Sequence, residues 1–265
     1  MVTRKGSLKP IGVPIDVLDR LNSGTIETVN LAECLAVDFA MLMGHMVPEL
    51  ASVTKNRIPS SDGITKRMAA MGKLLLEHLG AVDVRDLAEH PSDTVRGWAA
   101  YLLAAIPDLA LAERLNSMRS LADDHHFGVR EWSWLAVRPY VAAQIDEAIS
   151  LLIPWVSDDS PNIRRFAIVV RRRASFEVTR PRGVWCAHIP KLKQHPEIGL
   201  VLLEPVCADV SRYVRDSASN WLNDAAKSKP EWVKMVCDRW QLESNIPETK
   251  KLCTRALRSL KTKSS

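Results

Sequence analysis

Cysteine is sparse: the 265 residues hold five, at positions 34, 186, 207, 237 and 253. None forms a CxxC pair and the number is odd, so neither a disulfide framework nor a zinc ribbon is expected, and a reducing cytoplasm fits. No apolar run reaches the length of a membrane span, and the N-terminal MVTRKGSLKP has no apolar signal core, so no membrane partner is expected. Strand signals are scarce, with no Asn-Gly or Asp-Gly joining two alternating stretches. HExxH, Walker and GxSxG motifs are absent, and His125 and His126 are adjacent, a poor spacing for metal ligands on a helix. No metal and no cofactor is expected.

What the chain does hold is helical periodicity. LAECLAVDFAMLM, MAAMGKLLLEHL, VRGWAAYLLAAI and AQIDEAISLLIPWV carry apolar residues three and four apart. Ser92 or Asp93 is placed to cap the helix containing Val95, and Pro161 suits a first helical turn after Asp158, Asp159 and Ser160. With 46% apolar residues the chain can bury a sizeable core, and the fold class predicted is all-α.

The helices also repeat. SDTVRGWAAYLL, HFGVREWSWLAV, SPNIRRFAIVV and SRYVRDSASNWLND each run from a small polar or acidic residue through a β-branched residue and an arginine into an apolar helix. Those arginines are Arg96, Arg130, Arg164 and Arg215, at intervals of 34, 34 and 51. Such a period predicts a right-handed solenoid of HEAT-like helical pairs with a concave basic face. Two readings of the recurring arginine stand side by side: a ladder facing a ligand, or a salt bridge to the Asp of the preceding repeat.

The net charge is +5 and the pI about 9.0, so the placement of charge matters more than its total. The long interval contains RRRASFEVTRPRGVW. Arg164, Arg165, Arg171, Arg172, Arg173, Arg180 and Arg182 surround a single carboxylate, Glu177, with Phe176 and Trp185 among them. Seven guanidinium groups against one carboxylate cannot neutralise themselves, and their forks match phosphate oxygens. Glu177 is either a partner for Arg173 or Arg180 or an anion aimed at a developing cation. Glu131, in VREWSWLAVRP beside Trp132 and Trp134, is a second such candidate or a structural residue. The basic C-terminal KKLCTRALRSLKTKSS reads as a last helix with a frayed tail that could touch a phosphate backbone.

RRFA, EVTRPRGVWC and LLEPVCADVSRYVRDSASNWLNDAAKSKPEWV, with the N-terminal LNSGTIETVNLAECLAVD and ITKRMAAMGKLL, resemble the AlkC branch of the HEAT-like repeat DNA glycosylases, related to AlkD. The resemblance spans roughly residues 15 to 245. It implies a monofunctional enzyme that hydrolyses the N-glycosidic bond of cationic alkylated bases, N3-methyladenine above all, in duplex DNA. It implies no metal, action as a monomer, and a place in the cytoplasm on the nucleoid. Glu131 and Glu177 would flank the lesion, one nearer the deoxyribose and one positioning water. Trp134 and Trp185 would stack on or wedge beside it. Arg130, Arg164, Arg165, Arg171, Arg172, Arg173, Arg180, Arg182 and Arg215 would bind DNA. The chain is expected to be a single HEAT-like domain over 1–265, peripheral at 1–14 and 250–265, without the C-terminal immunoglobulin-like domain of some members. IVVRRRASF, between RRFA and EVTRPRG, departs from the branch pattern and adds residues there. The alternatives are a non-catalytic HEAT-like protein that binds branched or damaged DNA, and a helical scaffold for a protein partner, which would present an exposed apolar groove.

Overall fold

The computed structural model describes residues 4–80, 84–168 and 189–261, and every regular element among them is a helix. No helix among them is long and apolar enough to cross a membrane. The chain divides into two compact units, the first running to Pro139 and the second starting at Tyr140. The first contains α1 (Ile15–Asn22), α2 (Leu31–Ala36), α3 (Phe39–Met46), α4 (Ala51–Arg57), α5 (Ile64–Leu79), α6 (Val84–Ala88), α7 (Asp93–Ala105), α8 (Leu111–Ser117) and α9 (Arg119–Ala122). It ends within α10 (Phe127–Ala143), which carries Pro139 inside it. The second contains α11 (Ile145–Leu152), α12 (Pro161–Ile168), α13 (Pro190–Gln194), α14 (Leu200–Leu203), α15 (Arg212–Ala225), α16 (Pro230–Glu243), α17 (Pro247–Ala256) and α18 (Arg258–Lys261).

Local chemistry sets several boundaries. LAECLAVDFAMLM, continuous in its periodicity, is two helices. Asp38 accepts from the N–H groups of Ala40 and Met41 and starts α3, while Val37 leaves helical backbone. Asn30 caps α2 by accepting from Glu33 N–H, and Glu33 accepts from Val29 N–H in return. Pro161 opens α12 as expected. Ser92 occupies the N-cap of α7 but its side chain makes no capping bond. Asp93 does not cap α7 either: its carboxylate accepts from the N–H and hydroxyl of Thr28, at 2.9 and 2.8 Å, and pins the N-terminal segment to the repeat.

The four recurring arginines share one geometry. The Nη1 of Arg96 donates to the carbonyls of His90 and Pro91, that of Arg130 to Asp124 and His125, that of Arg164 to Asp158 and Asp159, and that of Arg215 to Asp209 and Val210. Each guanidinium thus closes the loop five and six residues before it. The first residue of that loop also holds the backbone two residues on. Asp124 accepts from His126 N–H, Asp158 from Ser160 N–H and Asp209 from Ser211 N–H. In the first repeat the ring Nδ1 of His90 takes this role for Ser92. Loop closure leaves the rest of the fork for the following loop: Arg96 reaches Asp124 at 2.8 Å and Arg164 reaches Asp209 at 2.7 Å. The salt-bridge reading holds for these two, with the partner in the following repeat, not the preceding one.

Packing in the first unit centres on α5 against α7. Gly72 makes the close approach possible, since a Cβ there would lie 2.5 Å from the backbone of Tyr101. Gly97 on α7 leaves room for Met68 and the Trp132 ring. Trp98, Trp132 and Phe39 are buried in this core. In the second unit α15 packs on α12 and α17. Leu252, Cys253 and Ala256 of α17 are buried, so one face of this helix packs into the second unit, while Lys250, Lys251 and Thr254 on its other face are exposed.

Candidate nucleic-acid interface

Arg171, Arg172, Arg173, Glu177, Arg180, Arg182 and Trp185 lie outside the described residues. The other residues expected to touch DNA are placed. Arg130, Arg164 and Arg215 close their own loops, which accounts for their recurrence without any ligand. Arg165 is half-buried with its guanidinium 4.5 Å over the Tyr213 ring. A stacking wedge needs an accessible ring, and Trp134 is 1% exposed in the core; the helix turns that face inward, so the wedge role falls away.

Glu131 sits on α10 at 9% exposure. It lies near the phenol of Tyr101, whose pKa is pushed up by burial, pulled down by the nearby Arg138 and, to the smallest extent, pushed up by Glu131. The Tyr101 hydroxyl has no hydrogen-bond partner among the described residues, and its ring stands 6.3 Å from that of Trp132. A carboxylate in such surroundings interacts strongly with any charge brought to it, because little water is present to screen it.

The second unit holds a basic cleft lined by two stretches marked in the sequence, SRYVRDSASNWLND and the basic C-terminal KKLCTRALRSLKTKSS, though Arg212, Lys251 and Arg255 were not named there as DNA contacts. It is lined by Arg212, Arg215, Asp216 and Ser219 of α15 and by Lys251, Leu252 and Arg255 of α17, with a volume of about 360 Å³. Four cations surround one carboxylate. Asp216 accepts from Arg255 at 2.6 Å and lies 3.8 Å from Arg212. Arg212, 83% exposed, and the exposed Lys251 project beyond that pair. The signal was present in the sequence. Arg212, Arg215, Asp216 and Ser219 follow the three- and four-residue spacing of one helix face, and Lys251 and Arg255 do the same on α17. What the sequence could not supply is the packing of these two faces side by side.

No family model matches the chain. Among curated proteins it is 30% identical over 178 residues to YhaZ of Bacillus subtilis, a match covering 67% of this chain and 45% of YhaZ. The chain therefore spans less than half the length of that relative. Among solved structures it is similar to the alkylpurine DNA glycosylase AlkC of Pseudomonas fluorescens bound to DNA containing an abasic site analog. That similarity has a TM-score of 0.62 and 24% identity, covering 92% of this chain and 64% of AlkC. It is also similar to AlkD2 of Streptococcus mutans, with a TM-score of 0.59 and 21% identity over 80% of this chain and 97% of AlkD2. The repeated arginine-closed loops and paired helices of this chain are thus built on the AlkC and AlkD-like helical-repeat fold.

Proposed function

We propose that this protein is a DNA glycosylase that releases cationic alkylated bases, N3-methyladenine and its like, from duplex DNA. The observation that carries the reading is the fold shared with AlkC, whose structure holds abasic-site DNA. The EVTRPRGVWC and SRYVRDSASNWLND motifs and the cleft of Arg212, Lys251 and Arg255 support it.

The chemistry asks little of the protein. A methyl group on N3 already makes the base a cation, so it leaves neutral as the bond from the sugar C1′ to the base nitrogen breaks. The sugar acquires oxocarbenium character, which a nearby carboxylate stabilises. Water then adds its oxygen to C1′ and gives up a proton. Glu131 and Glu177 are the two carboxylates proposed for these tasks, one for the cation and one for the water. A low-dielectric wall makes such a carboxylate more effective, and Glu131 stands beside Tyr101 and among buried tryptophans.

Base release from methylated duplex DNA tests the reading, with the wild type compared to Glu131→Gln and Glu177→Gln and DNA affinity measured alongside. Methyladenine released by the wild type and lost in a variant that still binds DNA supports catalysis by that carboxylate. Tight, salt-sensitive binding without release by the wild type means a non-catalytic DNA-binding protein. The burial of Glu131 is the one observation that favours this second reading.

A further inference from the structure

Three arginines are buried among the described residues of the first unit: Arg67, Arg96 and Arg114, exposed by 6%, 5% and 4%. Arg96 pairs with Glu27 and Asp124. Arg114 donates to the carbonyls of Ala104, Ile106 and Leu109. Arg67, in the first turn of α5, has one hydrogen bond among the described residues, from Nη2 to the carbonyl of Val37 at 3.3 Å. Its Nε is buried without a partner, and no carboxylate among the described residues lies within ion-pair distance. Its guanidinium stacks 4.1 Å above the Phe39 ring. A guanidinium taken out of water with so few partners is costly to keep unless something else supplies the missing acceptors.

Arg67 also lines a cavity of about 820 Å³ in this unit. Val37, Phe39, Met41 and Ile58 give the cavity an apolar wall, and Lys55 and Asp38 stand at it as well. Asp38 is occupied in capping α3, and Asp62 is paired with Lys66. Arg67, Lys55 and Asp38 together leave one uncompensated positive charge. The volume falls in the range of small-molecule sites, which are mostly apolar with a few polar groups that fix orientation.

We propose that this cavity is a binding site for a small organic monocarboxylate, whose carboxylate meets the fork of Arg67 and whose apolar body lies on Phe39, Met41 and Ile58. A single negative charge matches the single uncompensated cation, and the planar fork can donate two parallel hydrogen bonds to a carboxylate. Burial lowers the pKa of Arg67, a desolvation that an anion at the fork would relieve. The site is independent of the proposed glycosylase chemistry.

Thermal unfolding of the full chain tests it, with phenylacetate and octanoate as probes and inorganic phosphate and sulfate as controls. Ligand that binds only the folded state raises the Tm saturably. The expected result is a saturable rise of a few degrees with millimolar phenylacetate or octanoate, none with the inorganic anions, and loss of the rise in Arg67→Met. Without ligand, Arg67→Met should be at least as stable as the wild type, since it removes an under-partnered charge and keeps the packing on Phe39. Ile58→Trp, which fills the cavity and leaves Arg67 in place, should also abolish the rise, and it serves if Arg67→Met fails to fold. Failure of both carboxylates to stabilise the wild type overturns the proposal. So does an equal rise with sulfate or phosphate, or a rise that survives in Ile58→Trp.

Discussion

Arg164 holds Asp209 with two bonds, Nε to Oδ2 at 2.7 Å and Nη2 to Oδ1 at 3.0 Å, across 45 residues of sequence. Its remaining Nη1 closes the loop that starts α12. One side chain thus ties two successive repeat loops of the second unit. Arg164→Met is expected to lower stability by about 2 kcal/mol, since it removes the guanidinium donors of two loop carbonyls and of Asp209. Denaturant unfolding measures that loss. If Arg164 is structural, the salt dependence of DNA binding stays unchanged in the folded variant; a reduced slope would return it to the phosphate-binding set.

The cleft residues are expected to behave in the opposite way. Arg212 is 83% exposed and Lys251 is exposed as well. Arg212→Ala and Lys251→Ala should leave the unfolding midpoint within error and weaken DNA binding across all sequences. Each should lower the slope of log affinity against log salt by about 1. Binding titrations at several salt concentrations decide this, and unchanged slopes would remove the cleft from the interface.

Asp224 sets a pH dependence. Burial raises its pKa to about 6 from the ordinary aspartate value of 3.8, against the opposing pull of Lys227, whose ammonium lies 2.6 Å away. The folded state therefore holds this proton more tightly than the unfolded state. Stability is greatest below the unfolded pKa, falls as pH rises through the window between the two values, and levels off above about 6. The contribution is about 3 kcal/mol. Asp224→Asn should flatten the Tm of the protein between about pH 4 and pH 6 relative to the wild type. Parallel slopes in the two proteins would contradict it.

Gly72 is expected to tolerate nothing larger. A Cβ there would sit 2.5 Å from the Tyr101 carbonyl carbon and 2.7 Å from Leu102 N, both backbone atoms that cannot swing away. Gly72→Ala should cost about 3 kcal/mol by forcing α5 from α7, despite the better helix propensity of alanine. The unfolding midpoint of that one variant reports it.

Much of this molecule follows from its sequence alone. Apolar residues three and four apart can bury a face only as helices, and the recurrence at Arg96, Arg130, Arg164 and Arg215 marks a repeat whatever those side chains do. The start of α12 at Pro161 is equally local, a matter of a fixed φ and a missing donor. The role of each arginine was not legible, because a guanidinium bonds whatever acceptor the fold brings near. Arg164 found carbonyls and Asp209, Arg67 found an aromatic ring and a cavity, and Arg212 found open solvent. Trp134 likewise reads the same as a wedge or as core until the direction of its helix face is known. Periodicity depends on neighbours along the chain, and the sequence determined it. The partners of a charged or aromatic side chain lie tens of residues away, and only the tertiary structure decided them.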